Sequence, residues 1–285
     1  MLNLGFIGGG NMSTAIFKGI LKEGGQSPSQ IWVSGPHLEN LQHWKESGAN
    51  ISNKNGEVYS KCDVVFIGVK PQMLTKAVAD CIATLPEGER DYNRKVLVVS
   101  ILAGISLVQL QKVYNSLLRI LNHHYINCVI IRALPNTPMS VGAGVCLYTP
   151  DDTVTQNQCS ELEHLMSGCG ICERVPEYLM SSLGSLIGCG PAFIFIAIEA
   201  LADGAVKKGA PRALAQRLAA HMVMGSGKMV TEHNKHPGLL KDEVCSPGGS
   251  TIHGLSALEN GKFRATLIAA LEAATDRTDE MGKQS

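Results

Sequence analysis

The sequence has no surplus of either charge: Lys plus Arg and Asp plus Glu number 25 each. Basic and acidic residues are interspersed rather than blocked. A chain without a basic or acidic field carries no electrostatic footprint for nucleic acid or for an acidic lipid surface. It also lacks a continuous apolar run of the ~18–20 residues that cross a bilayer. The longest candidate, Ala192–Ala202, contains Glu199 and meets Asp203, and it reads as a buried helix. No basic segment precedes the strand-like start at Met1-Leu-Asn-Leu, so no secretory leader and no membrane partner are expected. The nine cysteines form no framework. Cys169-Gly-Ile-Cys172 has the spacing of a zinc or redox pair, but no second pair accompanies it, and no metal is expected. Thiols used in this way fit a reducing compartment, and the expectation is a cytoplasmic protein. His123 and His124 are adjacent and so face different directions, which makes them a poor pair of ligands.

What is present is an alternation. With 285 residues the chain is long enough for one large or two ordinary domains. In its first half, short runs rich in Val and Ile (Leu2–Ile7, Ile31–Val33, Val64–Val69, Val96–Leu102, Val129–Ala133) are bounded by turn residues. They read as strands buried on both faces. Helical patterns lie between them, near Ser13–Glu23, Leu38–Ser47, Met73–Ile82 and Ser106–Leu118. Strand-helix alternation implies a parallel sheet with crossover helices. Val145–Tyr148 and Gly170–Val175 add two later strand candidates. After about Pro176 the pattern turns helical. Pro191–Gly209 and Pro211–Val230 are Ala-rich, and each begins with a proline suited to a first helical turn. Gly249–Glu259 and Lys262–Met281 give two more helices. The expected architecture is α/β: a Rossmann-like dinucleotide-binding domain over residues 1–175, then an all-helical domain over residues 176–285. Few charges lie on several faces of these helices, so association through them is expected.

Gly8-x-Gly10 follows the first strand and opens a helix, the context in which a glycine motif signals a dinucleotide. Gly8 permits the tight turn, and Gly10 lets a pyrophosphate approach the backbone. Amides near Asn11 and Met12 face its charge. Ser13 takes the third motif position and is small enough for close helix-strand packing. An acidic residue after the second strand would hold a ribose 2′-hydroxyl and select NAD. Here the chain reads Val33-Ser-Gly-Pro-His37, so NADP is favoured, with NADH as an alternative; Ser34, the Gly35 amide and His37 are the candidate phosphate contacts. Val69 and Pro71 offer apolar contact to a ribose or nicotinamide. Lys70 reads equally well as a cofactor contact or as a solvated lysine at a strand end. Ala103 and Gly104 leave room for a flat ring. Late in the chain, Ser246-Pro-Gly-Gly-Ser-Thr251 enters a helix and exposes amides suited to a carboxylate; an ordinary helix cap would read the same way.

These segments resemble, in order, those of the pyrroline-5-carboxylate reductase family. The similarity rests on Gly5-Phe-Ile-Gly-Gly-Gly-Asn-Met12, Val69-Lys-Pro71, Pro135-Asn-Thr-Pro138, Gly188-Cys-Gly-Pro-Ala192, Glu199-Ala-Leu-Ala-Asp-Gly-Ala-Val206 and Lys241-Asp-Glu-Val-Cys-Ser-Pro-Gly-Gly-Ser-Thr-Ile-His-Gly-Leu255. The resemblance implies reduction of L-1-pyrroline-5-carboxylate to L-proline by NADPH or NADH, the last step of proline biosynthesis. It implies a homodimer formed through the C-terminal helices, assembled further into rings such as a decamer, with the small-molecule substrate bound between subunits. Carried over by residue, it places cofactor contacts on Gly8, Gly9, Gly10, Asn11, Met12, Ser34, Gly35, Asn55, Val69, Lys70, Pro71 and Ala103. Substrate contacts fall on Glu177, Ser246, Gly249, Ser250 and Thr251, and the Thr251 hydroxyl serves the ring nitrogen as the catalytic group. Two features depart from the family pattern. Ile187 and Cys189 replace serines before Gly190, and Tyr114–Cys128 is several residues longer than usual. Two rival readings are an NADP reductase with a lysine acid drawn from Lys207, Lys208 or Lys228, and a dinucleotide sensor without turnover.

Overall fold

The computed structural model describes residues 2–23, 25–86, 95–120 and 127–284. Residues 1–188 begin β1 (Leu4–Ile7), α1 (Asn11–Glu23), β2 (Ile31–Ser34), α2 (Gln42–Glu46), β3 (Asn50–Ser52), α3 (Asn55–Lys61), β4 (Val64–Ile67) and α4 (Leu74–Ala83). They continue with β5 (Lys95–Ser100), α5 (Leu107–Ile120), β6 (Asn127–Pro135), β7 (Gly144–Pro150), α6 (Gln156–Met166), β8 (Gly170–Arg174) and the start of α7 (Met180–Lys207). After α7 come α8 (Arg212–His233), α9 (Pro237–Glu243), α10 (Ser250–Asn260) and α11 (Phe263–Gln284).

The strands form one sheet in the order β3-β2-β1-β4-β5-β6-β7-β8. Every pairing is parallel except β6 with β7, which is antiparallel. Alternate side chains of each strand serve opposite faces. Phe6, Val33, Phe66, Val99 and Ile131 join α1 and α6 in one core, around Phe17 and the fully buried Trp44. Ile7, Val65, Ile67, Val98 and Ile130 join α3, α4 and α5 in the other. Coverage on both faces explains why the strands read as continuous apolar runs rather than alternating ones. The strand order reverses between β1 and β4, and in open α/β sheets ligands bind at the carboxyl ends on either side of that point.

The chain divides into two compact units, Met1–Gly188 with Thr275–Ser285, and Cys189–Ala274. The sequence reading divides it at 175/176 instead, just after β8; α7 begins beyond that point and runs through 188/189. In the second unit the described elements are helices, and Ala202, Ala215 and Ala219 form a small core where α7 meets α8.

Three expectations are corrected. Pro191 does not open a helix; it lies inside α7, which starts at Met180. The apolar run read as buried is largely open in the single chain, with Phe195 and Ile196 63% and 66% exposed. Because α7 begins so early, the stretch Glu177–Lys207 does reach the length and apolar character of a membrane span. The extension near 115–128 lengthens α5 as far as Ile120, while residues 121–126, with His123 and His124, lie outside the described residues. Cys169 is buried against Ile16 and Gly19, and burial pushes its thiol up to about 11, helped by Cys172.

Candidate active site

The glycine loop lies at the carboxyl end of β1. Gly8 has φ +98°, and a Cβ there would come within 2.8 Å of the Gly68 carbonyl oxygen, so only glycine fits between the ends of β1 and β4. The Gly8 amide donates to the Ser34 carbonyl at 2.9 Å, and the Gly68 amide to the Ile7 carbonyl at 2.9 Å. Gly10 differs: a Cβ there would meet no protein atom within 4 Å. No described protein atom fills the space beside Gly10, so the backbone there is open to an approaching pyrophosphate. The Thr14 amide bonds back to the Gly10 carbonyl at 2.9 Å, so the amides of Asn11 and Met12 precede the ladder of α1 and remain available to an anion. Ser13 is buried and packs where a Cβ on Gly68 would come within 2.2 Å of its oxygen, which accounts for the small residue there. These features fit a dinucleotide.

The carboxyl end of β2 differs from expectation. The Gly35 amide donates to the Ser52 carbonyl at 3.1 Å, tying β2 to β3, and is not free for a phosphate. Ser34 is fully buried, and its hydroxyl donates to Asn55 Oδ1 at 2.7 Å. Asn55 in turn donates Nδ2 to the Ala77 carbonyl at 3.1 Å, and its amide donates to Asp80 at 3.0 Å. Ser34, Gly35 and Asn55 thus form the floor of this corner. The exposed residues next to it in sequence are Pro36, His37, Asn53 and Lys54. His37 lies 3.3 Å from Glu39. Lys54 is an exposed cation beside this corner in sequence. It sits in the polar run Ser52-Asn-Lys-Asn55, with its amide on the Ser52 hydroxyl at 3.0 Å.

Further along the same sheet edge, Val69 is half-buried while Lys70, Pro71 and Ala103 are exposed. Ala103 belongs to the turn between β5 and α5. Glu177 is drawn into this unit: its Oε1 accepts from Arg132 Nη1 at 2.7 Å and from the Leu107 amide at 3.0 Å. Sequence reasoning missed Arg132, a charged residue inside an apolar strand.

In the second unit the Gly249 amide closes on the Ser246 carbonyl at 3.0 Å, and Gly249 is the N-cap of α10. A glycine cap supplies no side-chain oxygen, so the first amides of α10, at Ser250 and Thr251, keep their donors for a ligand. A Cβ on Gly249 would come within 2.4 Å of the Ser246 hydroxyl, so these two candidates are held together. Thr251 is half-buried in the first turn, with Ser246 and Ser250 exposed beside it.

A nucleotide-binding crevice at a strand-order reversal, followed by a helical unit with an amide-rich helix start, defines a Rossmann-type oxidoreductase of the NADP-using class. Two family models match the chain: residues 177–281 match pyrroline-5-carboxylate reductase dimerisation, and residues 3–104 match NADP oxidoreductase coenzyme F420-dependent. The chain is 38% identical to pyrroline-5-carboxylate reductase from Escherichia coli (strain K12) over 98% of each chain. It is 37% identical to pyrroline-5-carboxylate reductase 3 of Danio rerio over 99% of this chain and 92% of that one. Among solved structures, a pyrroline-5-carboxylate reductase from Coxiella burnetii superposes with a TM-score of 0.85, at 31% identity and 98% coverage of both chains. Pyrroline carboxylate reductase of Plasmodium falciparum with NADP bound gives 0.81 at 28% identity, covering 99% of this chain and 98% of that one. The chain belongs to the pyrroline-5-carboxylate reductase family.

Proposed function

We infer that this protein reduces L-1-pyrroline-5-carboxylate to L-proline with NADPH, the last step of proline biosynthesis. The observation that carries the reading is the family match along essentially the whole chain, both units included. NADPH supplies a hydride from nicotinamide C4, and the substrate accepts it at the imine carbon. The protein's own residues bind and orient. The Gly8–Met12 loop takes the pyrophosphate, and Val69, Lys70, Pro71 and Ala103 border the nicotinamide half. Lys54 and His37 face a 2′-phosphate above the Ser34–Gly35–Asn55 floor. The start of α10, with Ser246 and Gly249, takes the substrate carboxylate through the Ser250 and Thr251 amides. The Thr251 hydroxyl meets the ring nitrogen and keeps its proton in place. A protonated imine is already electrophilic, so holding two reactants in register supplies the catalysis, a contribution of about 7–11 kcal/mol.

The protein works as a homodimer that assembles further, with a decamer as the ring we favour. Phe195, Ile196, Leu218, Met224 and Ile268 are 56–66% exposed on α7, α8 and α11, more large apolar surface than a solitary chain keeps in water. A groove of about 310 Å³ between α7 and α8, lined by Leu201, Ala205, Leu214, Leu218 and Met222, is the seat for a second copy. Since α7 carries Glu199 and Asp203, its apolar face is matched to protein rather than to lipid. Nine free cysteines support a cytoplasmic location. Loss of NADPH absorbance on adding the imine, with L-proline appearing in equal amount, tests the activity. Oxidation only with a hydroxyacid-type ketone, or binding without oxidation, would replace this reading with one of its rivals.

A further inference from the structure

Cys169-Gly-Ile-Cys172 has no second pair in the sequence, but the sheet brings a third thiol to it. Cys172 lies on β8, and its register partner on the neighbouring strand β7 is Cys146. Both side chains face the core around Trp44, and the two thiols are within hydrogen-bonding reach of each other. Register partners on adjacent strands lie about 4.8 Å apart, inside the ~4.4–6.8 Å between Cα atoms that a disulfide spans. Both cysteines are free in this structure. Their surroundings differ. Cys146 is fully buried. Its hydrogen bond with Cys172, and then burial, hold its thiol well above the ordinary thiol range. Cys172 is half-buried on the last strand of the sheet, with Ile171 and Glu173 exposed on either side. An oxidant in solution therefore meets Cys172 first, and Cys146 stands behind it. Cys169 is engaged elsewhere: it precedes β8, and its thiol donates to the Ile16 carbonyl of α1 at 3.6 Å. The proposed reduction uses none of these thiols.

We propose that Cys172 and Cys146 form a reversible modification site for hydrogen peroxide, closing to a disulfide across β7 and β8. In the first step the Cys172 thiolate attacks peroxide. An S–O bond forms, the O–O bond breaks, the sulfur is oxidised to a sulfenic acid, and the departing hydroxide takes up the thiol proton as water. In the second step the Cys146 sulfur attacks Cys172. The S–S bond forms, the S–O bond breaks, and the hydroxyl leaves with the Cys146 proton as a second water. In sum, two thiols and one peroxide give one disulfide and two waters. A dithiol reductant returns the pair by exchange, and a bridge at an accessible sheet edge is of the labile kind that such exchange opens.

The test is peptide mapping of the folded full chain after exposure to hydrogen peroxide. The protein is denatured in iodoacetamide to block free thiols, then digested after arginine, lysine and glutamate. Cleavage at Arg132, Glu161 and Glu173 puts Cys146 and Cys172 on different peptides. The expected result is a linked pair of peptides, joined by fragmentation evidence at Cys146 and Cys172, that separates in dithiothreitol. Cys172→Ala is expected to abolish the link. Cys146→Ala is expected to abolish it and to leave Cys172 as a sulfenic acid that dimedone traps. Cys169→Ala is expected to keep the link. If Cys146→Ala fails to fold, Cys146→Ser retains the size of the side chain and takes the same measurement. A link from Cys172 to Cys169, or one that survives in the Cys146 variant, would overturn the proposal. So would full alkylation of both thiols after peroxide, or Cys172 carried on to a sulfinic acid beside a free Cys146.

Discussion

The side-chain amide of Asn136 donates to the main-chain carbonyl of Ile187 at 3.0 Å. In a regular helix that carbonyl would receive the amide of residue 191, but residue 191 is proline and has none. Asn136 supplies the missing donor, and α7 continues through Pro191 without ending. The same side chain accepts the Val145 amide on Oδ1 at 2.8 Å and is itself buried, so one residue of Pro135-Asn-Thr-Pro138 joins β6, β7 and α7. Asn136→Ala strands the Ile187 carbonyl and the Val145 amide. At ~1–3 kcal/mol for each unsatisfied group, the expected loss is about 2–6 kcal/mol in denaturant unfolding. In a Pro191→Ala background the helix serves its own carbonyl, and the cost of Asn136→Ala is expected to shrink. An equal cost in both backgrounds would refute the coupling.

Thr251→Ala removes a hydroxyl from the first turn of α10 without touching a core. The expected outcome is kcat lowered roughly 100-fold, with the melting temperature unchanged. Wild-type turnover would remove the hydroxyl from the chemistry.

Lys54, exposed and next in sequence to Asn55, is the cation proposed to favour a 2′-phosphate. Lys54→Glu reverses its sign. The ratio of kcat/KM for NADPH to that for NADH is expected to fall about tenfold, which corresponds to about 1.4 kcal/mol. An unchanged ratio would locate the discrimination elsewhere on the edge.

Phe195 is 63% exposed on α7. Phe195→Glu places a charge in the face proposed to meet a second copy, and the mass in solution is expected to fall towards that of one chain. Retention of the full assembly would move the interface away from α7.

Much of this was legible in the residues, and the gaps have physical causes. Apolar runs bounded by turns located β1, β2, β4, β5 and β6 to within a few residues, because strands buried on both faces leave that signature. β3 was not found: Asn50-Ile-Ser52 is short and polar, and it exists as a strand through its pairing with β2. α6 carries a weak apolar pattern, and its local signal is the capping-box spacing of Thr155 and Gln158, both halves of which form. α7 was started too late because Pro191 looks like a beginning; only the distant Asn136 makes it an interior residue. The positive-φ turn at Gly8 and the glycine cap of α10 follow from local chemistry. The Gly35 amide was misjudged because its partner, Ser52, lies on the strand that was not seen. The Arg132–Glu177 pair leaves no local signal because its members are 45 residues apart.

The central claim is a hydride passing from the nicotinamide to an imine carbon. It is tested most directly by isotope transfer. The protein is mixed with NADPH carrying deuterium at the transferred position of C4 and with unlabelled L-1-pyrroline-5-carboxylate, and the product is read by mass spectrometry and NMR. The account predicts L-proline with one deuterium, at C5. L-Proline formed without deuterium, or labelled NADPH left unconsumed beside intact imine, would contradict it.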